Sequence, residues 1–231
     1  MRFVANFKTN HTRESTTKYI EDLNKELEDI NTQILIFPPS SALQNSKGKI
    51  DIGVQNAYYT KNGAFTGELG LEQLQEFNIN QILIGHSERR EILGESQEFI
   101  AKKFAFFMEQ NFEIIYCIGE PLEVREQGQE ALFSYLFAQF EGIDTNYSKL
   151  TVAYEPIWAI GTGVSATKED IEVVHNRLKE QFKLPLLYGG SVKVDSIEEI
   201  ASINSVDGVL VGSASLDAKG FSQLIKKGLG A

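Results

Sequence analysis

The sequence predicts a (β/α)8 barrel, and three observations lead to that fold. Short apolar runs rich in β-branched residues recur eight times along the 231 residues. Several of them, such as Ile114-Ile115-Tyr116-Cys117-Ile118 and Val209-Leu210-Val211, are continuously apolar, which marks strands buried on both faces, as in a parallel sheet. Most are separated by segments whose apolar residues return every three or four positions, and eight such repeats in a chain of this length match a compact barrel. An open, doubly wound sheet of eight strands fits the same pattern and remains the alternative.

The strand-like runs fall at 2–6, 33–37, 51–55, 81–85, 113–118, 151–155, 185–189 and 207–212. After the first run, Ile20, Leu23, Leu27 and Ile30 keep helical spacing. Only residues 38–50 separate the second and third runs, so the second helix is shortened, to about 40–44. A helix is expected over 96–111, with Phe99, Ile100, Phe104 and Phe107 on one side, and another over 122–142, with Leu132, Leu136 and Phe140 in register. Ile171, Val174, Leu178 and Phe182 define a later helix, and Thr167 with Asp170 form a capping box at its start. No linker, low-complexity tract or internal repeat interrupts this order, so residues 1–231 are expected to form one domain.

Composition narrows the function classes. A chain that is 42% hydrophobic and 23% charged is neither disordered nor fibrous. No stretch reaches the ~18 apolar residues of a membrane span, and the first ten residues lack the apolar core of a secretory signal. A net charge of −10 disfavours nucleic acid and anionic membrane surfaces as partners. It leaves room for a small anion held by one Lys and a few backbone N–H groups. The single cysteine, Cys117, permits no intrachain disulfide, and the expected location is cytoplasmic.

In a barrel, chemistry gathers where strands end and the following loops begin. Asn6 and Lys8 end the first run two positions apart, so an extended backbone points them the same way. Lys8 is there either as a substrate cation or as half of a structural ion pair. His86 follows Gly85 and opens a polar segment that could start a helix. A helix N-terminus disfavours imidazolium, so the ring is expected neutral, serving either proton transfer or structure. Glu155 follows a buried strand, where a carboxylate is costly unless it faces a polar cavity or an ion-pair partner. Pro156 biases Glu155 towards an extended backbone. The turns Gly161-Thr162-Gly163, Gly189-Gly190-Ser191 and Gly212-Ser213 could offer backbone N–H groups to a phosphate. Residues 157–163, apolar and holding the only Trp, are expected to be a lid or an ordinary packed loop.

Asn6-Phe7-Lys8, Gly85-His86-Ser87-Glu88-Arg89-Arg90, the stretch from Ala153 through Glu155-Pro156-Ile157-Trp158 to Gly163, Tyr188-Gly189-Gly190-Ser191 and Val209-Leu210-Val211-Gly212 together resemble the triosephosphate isomerase family, over essentially the whole chain. The resemblance implies a TIM barrel that interconverts dihydroxyacetone phosphate and glyceraldehyde 3-phosphate through an enediolate, in glycolysis and gluconeogenesis. It implies Glu155 as the base, His86 as the neutral electrophile, Lys8 as the balancing cation, Asn6 as a donor to the substrate oxygen and Glu88 as a supporting carboxylate. Gly161, Ser191, Gly212 and Ser213 match its phosphate-binding backbone, shared with Asn6 and Lys8. No metal or organic cofactor is implied. The family forms homodimers through a loop that matches residues 55–71 here, and Thr66 near its tip is expected to approach Asn6 and Lys8 of the partner subunit. Two departures stand out: Phe7 where Trp is common, and Ser213 where a Gly is common, which would strain the backbone if that position needs a positive φ. A different phosphosugar isomerase, or a barrel that only binds, are the competing readings. Neither requires Asn6, Lys8, His86 and Glu155 together.

Overall fold

The computed structural model describes residues 1–160 and 165–231. Among them, eight parallel strands stand in the order β3-β2-β1-β8-β7-β6-β5-β4. They are β1 (Arg2–Asn6), β2 (Ile34–Phe37), β3 (Ile50–Ile52), β4 (Gln81–Ile84), β5 (Glu113–Ile118), β6 (Leu150–Tyr154), β7 (Leu186–Tyr188) and β8 (Gly208–Val211). First and last strands pair in register, Val4 opposite Leu210, which an open doubly wound sheet does not do. The remaining seam, between β3 and β4, is carried among the described residues by Val54. Its N–H donates to the Gln81 carbonyl at 2.9 Å and its carbonyl accepts from Leu83 N–H at 3.0 Å. The sheet is therefore a nearly closed barrel, and the open-sheet alternative falls.

Side-chain alternation gives the barrel two cores. Val4, Leu35, Phe37, Leu83, Ile115, Cys117, Ala153, Leu187 and Leu210 point inward and fill the interior. Their neighbours in sequence, such as Phe3, Ile36, Ile114, Tyr116, Val152 and Val209, point outward against the helices. Burial on both faces explains why these runs read as continuously apolar.

The helices are α1 (Arg13–Glu26), α2 (Leu71–Gln75), α3 (Ser87–Glu91), α4 (Gln97–Glu109), α5 (Leu122–Arg125), α6 (Gln129–Ala138), α7 (Lys168–Phe182), α8 (Ile197–Ala201) and α9 (Ala218–Leu229). The starts of the long ones are written in the sequence. Thr12 and Ser15 cap α1 reciprocally, Ser96 caps α4, and Thr167 with Asp170 form the expected capping box of α7.

Three expectations need correction. The helix expected at 40–44 is a single 3-10 turn, Ser40–Ala42. The helix expected over 122–142 is two, because Gly128 adopts φ +94°, outside the right-handed helix, and divides α5 from α6. The third strand lies at Ile50–Ile52, earlier than the expected 51–55, and Val54 beyond it makes the seam.

A buried histidine gives the outer core a pH dependence. His175 on α7 packs its ring against Tyr154 and Tyr188. Its Nδ1 lies 3.1 Å from the Ser205 carbonyl and so donates, while Nε2 has no partner among the described residues. Burial lowers its pKa from 6.5 to about 4. Between those values the unfolded chain binds the extra proton, so stability falls as pH drops through this window, by roughly 3 kcal/mol in all. Urea midpoints at pH 7 and pH 4.5 should therefore differ less in His175→Phe than in the natural protein. Parallel pH dependences would contradict this.

Candidate active site

The polar residues expected at the strand ends converge on one cavity of about 490 Å³ at the C-terminal mouth of the barrel. Asn6, Lys8, His86, Glu155, Ser191, Gly212 and Ser213 all line it. Glu88 sits beside it and joins through Lys8. Gly161 lies outside the described residues, as does part of the segment expected to be a lid, whose described beginning contains the 3-10 turn Ile157–Ala159. Thr66 is exposed on the long loop after β3, away from this cavity in its own chain.

Lys8 reaches the cavity by a turn, not by the extended backbone its spacing from Asn6 suggested. It adopts φ +52°, a left-handed conformation uncommon for a residue with a Cβ. Two side chains hold that turn. Asn6 Oδ1 accepts the Lys8 N–H at 3.0 Å, and Gln55 Nε2 donates to the Lys8 carbonyl at 2.8 Å. Gln55 donates equally to the Phe37 carbonyl, tying β1 to β2. The Lys8 ammonium pairs with Glu88 Oε1 at 2.6 Å.

His86 is the N-cap of α3, and its Nδ1 accepts the Glu88 N–H at 3.3 Å. An Nδ1 that accepts cannot carry the proton, so the neutral ring holds it on Nε2, 3.1 Å from Glu155 Oε1. Burial pulls the His86 pKa down. The charge and hydrogen bond of Glu155, with Glu88 behind them, more than offset it, and the pKa is raised. The expectation of a lowered His86 pKa considered only the helix N-terminus. The structure adds a carboxylate in contact with the ring.

Glu155 is buried, and its Oε2 accepts the Ser87 N–H at 3.2 Å. Its backbone N–H continues the sheet, donating to the Ile118 carbonyl at 2.7 Å. Glycine leaves room on either side: a methyl group at Gly119 would collide with the Glu155 carbonyl oxygen, and one at Gly189 would lie 2.8 Å from its Cγ. Cys117 also feels this carboxylate. Burial, then the Glu155 charge, push the thiol's pKa well up, so it stays protonated.

On the opposite wall, the N–H groups of Ser191, Gly212 and Ser213 find no acceptor among the described residues. Ser213 begins a 3-10 turn and does not have a positive φ, so the strain considered for a non-glycine residue there does not arise. Together with Lys8, these donors can receive an anion. A hydrogen-bonded carboxylate and imidazole face them across the same space. The arrangement suits moving a proton on a small anionic substrate.

Three contributors went unread in the sequence. Ser87 lies within a quoted motif, but only the fold shows its N–H meeting Glu155. Gln55 sits at a strand end like the residues that were singled out. Glu120 is fully buried and accepts from Tyr154 Oη and Trp158 Nε1, both at 2.9 Å. Burial raises its pKa although those bonds oppose it.

Comparison with known proteins agrees with this geometry. The family model described as triosephosphate isomerase matches residues 1–228. Proteins named triosephosphate isomerase are 61% identical in Sulfurovum sp. (strain NBC37-1), over 97% of this chain and 99% of the relative, and 54% identical in Wolinella succinogenes, over 98% and 100%. One from Campylobacter jejuni is 50% identical over 98% and 100%. Barrel, mouth and relatives coincide: the chain belongs to the triosephosphate isomerase family and is an isomerase.

Proposed function

We propose that the protein interconverts dihydroxyacetone phosphate and D-glyceraldehyde 3-phosphate through an enediolate, with Glu155 as the base. The observation that carries this reading is the Glu155–His86 pair facing Lys8 and three backbone N–H groups that are unpaired among the described residues, across one cavity. The phosphate is bound by Lys8 and by the N–H groups of Ser191, Gly212 and Ser213, and by Gly161 according to the resemblance. Glu155 removes a proton from the carbon next to the carbonyl, and its carboxyl group, where that proton can exchange with solvent, protonates the neighbouring carbon. His86, protonated on Nε2, donates to the substrate oxygens and moves a proton between them, with Asn6 as a further donor. Lys8 balances the enediolate charge, and Glu88 holds the ammonium in place.

A substrate entering between His86 and Glu155 separates them. That weakens the strongest influence raising the His86 pKa and leaves burial and the charge of Lys8 to lower it. The neutral ring is thereby favoured when the chemistry needs it. A coupled assay of the purified protein, supplied with glyceraldehyde 3-phosphate and following dihydroxyacetone phosphate through an NADH-linked reductase, tests the reading. Absence of turnover from folded protein would defeat it and favour a barrel that only binds.

The same reading gives a homodimer. Phe65 beside Thr66 is 42% exposed and backed by Tyr58, while Ile92 and Leu93 on the next loop are 75% and 62% exposed. Apolar side chains left this open on two neighbouring loops suit burial against a second copy. Sedimentation at micromolar concentration should give twice the chain mass, and a monomer mass would refute the dimer.

A further inference from the structure

We infer that Gln139, which does not line the cavity, is a positioning residue for Glu155. The inference rests on the proposed role of Glu155 as base. Gln139 ends α6 and is buried. Its Oε1 accepts the Gly119 N–H at 3.1 Å and its Nε2 donates to the Gly119 carbonyl at 2.7 Å. Its own carbonyl accepts from the Tyr116 hydroxyl. Gly119 is the first residue past β5, where the ladder to β6 is running out. The side-chain amide supplies there the donor and acceptor that a neighbouring strand would otherwise give.

What Gln139 fixes is the support on which Glu155 rests. Ile118, before Gly119, accepts the Glu155 N–H, and Gly119 itself packs against the Glu155 carbonyl so closely that no Cβ fits. Glu120, after it, accepts the Ile157 N–H on its carbonyl at 3.0 Å and the Tyr154 and Trp158 side chains on its carboxylate. Residues 118–120 thus hold both flanks of Glu155. Gln139 is the buried group pinning their middle at two points. It touches none of the groups assigned to the phosphate. Loosening it should displace the base and leave anion binding alone, and a shift of about 1 Å at a reacting group can reduce the rate roughly 10²-fold.

The test is steady-state kinetics of Gln139→Met, which keeps the length and removes both hydrogen bonds, and of Gln139→Glu, which keeps an acceptor for the Gly119 N–H. The Gln139→Met variant should lose about 10- to 100-fold in kcat, with KM and the inhibition constant of inorganic phosphate changed no more than about twofold. Gln139→Glu should fall between it and the natural protein, and stands in if Gln139→Met does not fold. The fluorescence of Trp158, the only tryptophan, reports folding in each variant. A lowered Tm with kcat per folded molecule unchanged, or a raised KM with kcat intact, would overturn the inference. An inactive natural protein would instead strike at the proposed function.

Discussion

Replacing Glu155 by Ala should lower kcat by about 10³- to 10⁴-fold, near the upper end of what a positioned base contributes, while KM stays within a few-fold. The carboxylate faces the reacting carbon in the proposed mechanism, whereas Lys8 and the backbone N–H groups of Ser191, Gly212 and Ser213 hold the phosphate. Removing Glu155 therefore subtracts an interaction made in the transition state and leaves ground-state binding in place. Structure supports the separation. Glu155 is held by Ser87 N–H and His86, and neither bond carries the phosphate wall. The variant also loses the charge that raises the His86 pKa. The residual activity should therefore come from a ring still neutral at pH 7. Parallel measurement of kcat and of inhibition by inorganic phosphate checks both halves. A fall in affinity matching the fall in rate would place Glu155 in binding.

Lys8→Met should have the complementary effect, weakening binding and catalysis together, with kcat/KM down by about 10³-fold or more. Charge-assisted hydrogen bonds contribute about 1.5–3 kcal/mol each, and Lys8 is placed to make them to both phosphate and enediolate. The loss is compounded by Glu88. In the natural protein its carboxylate is paired with the ammonium at 2.6 Å. Without the cation, that negative charge stands uncompensated beside the proposed phosphate site in a chain of net charge −10. Inhibition by inorganic phosphate should weaken in this variant and survive in Glu155→Ala. The double variant Lys8→Met with Glu88→Gln should recover part of the binding. Full affinity in Lys8→Met would remove Lys8 from the phosphate site.

The fold was legible because burial on both faces of a parallel strand leaves continuous apolar runs, and the capping box of Thr167 with Asp170 marks where a helix begins. The break at Gly128 was not, since a glycine's sign of φ is not written in its neighbours. The same holds for Lys8, whose left-handed turn depends on Asn6 and on Gln55 from another strand. The strand-end residues of the site were legible one at a time, because a polar group after a buried strand demands a reason. Their pairing was not. His86 meets Glu155 across 69 residues of chain, and that contact reverses the pKa direction expected from the helix N-terminus alone. Gln139 and Glu120 were hidden for a related reason. Gln139 reads as a polar residue of an outer helix and Glu120 as one more polar residue after a strand, until the barrel brings them against residues 118–120 and 154–158.

The most direct test of the account is proton transfer itself. Dihydroxyacetone phosphate incubated with the purified protein in D2O should be converted to glyceraldehyde 3-phosphate, with solvent deuterium appearing on the carbon beside the carbonyl. In Glu155→Ala, conversion and deuterium uptake should fall together by about 10³-fold or more. Conversion and deuterium uptake undiminished in Glu155→Ala would contradict the assignment of Glu155 as the base that forms the enediolate.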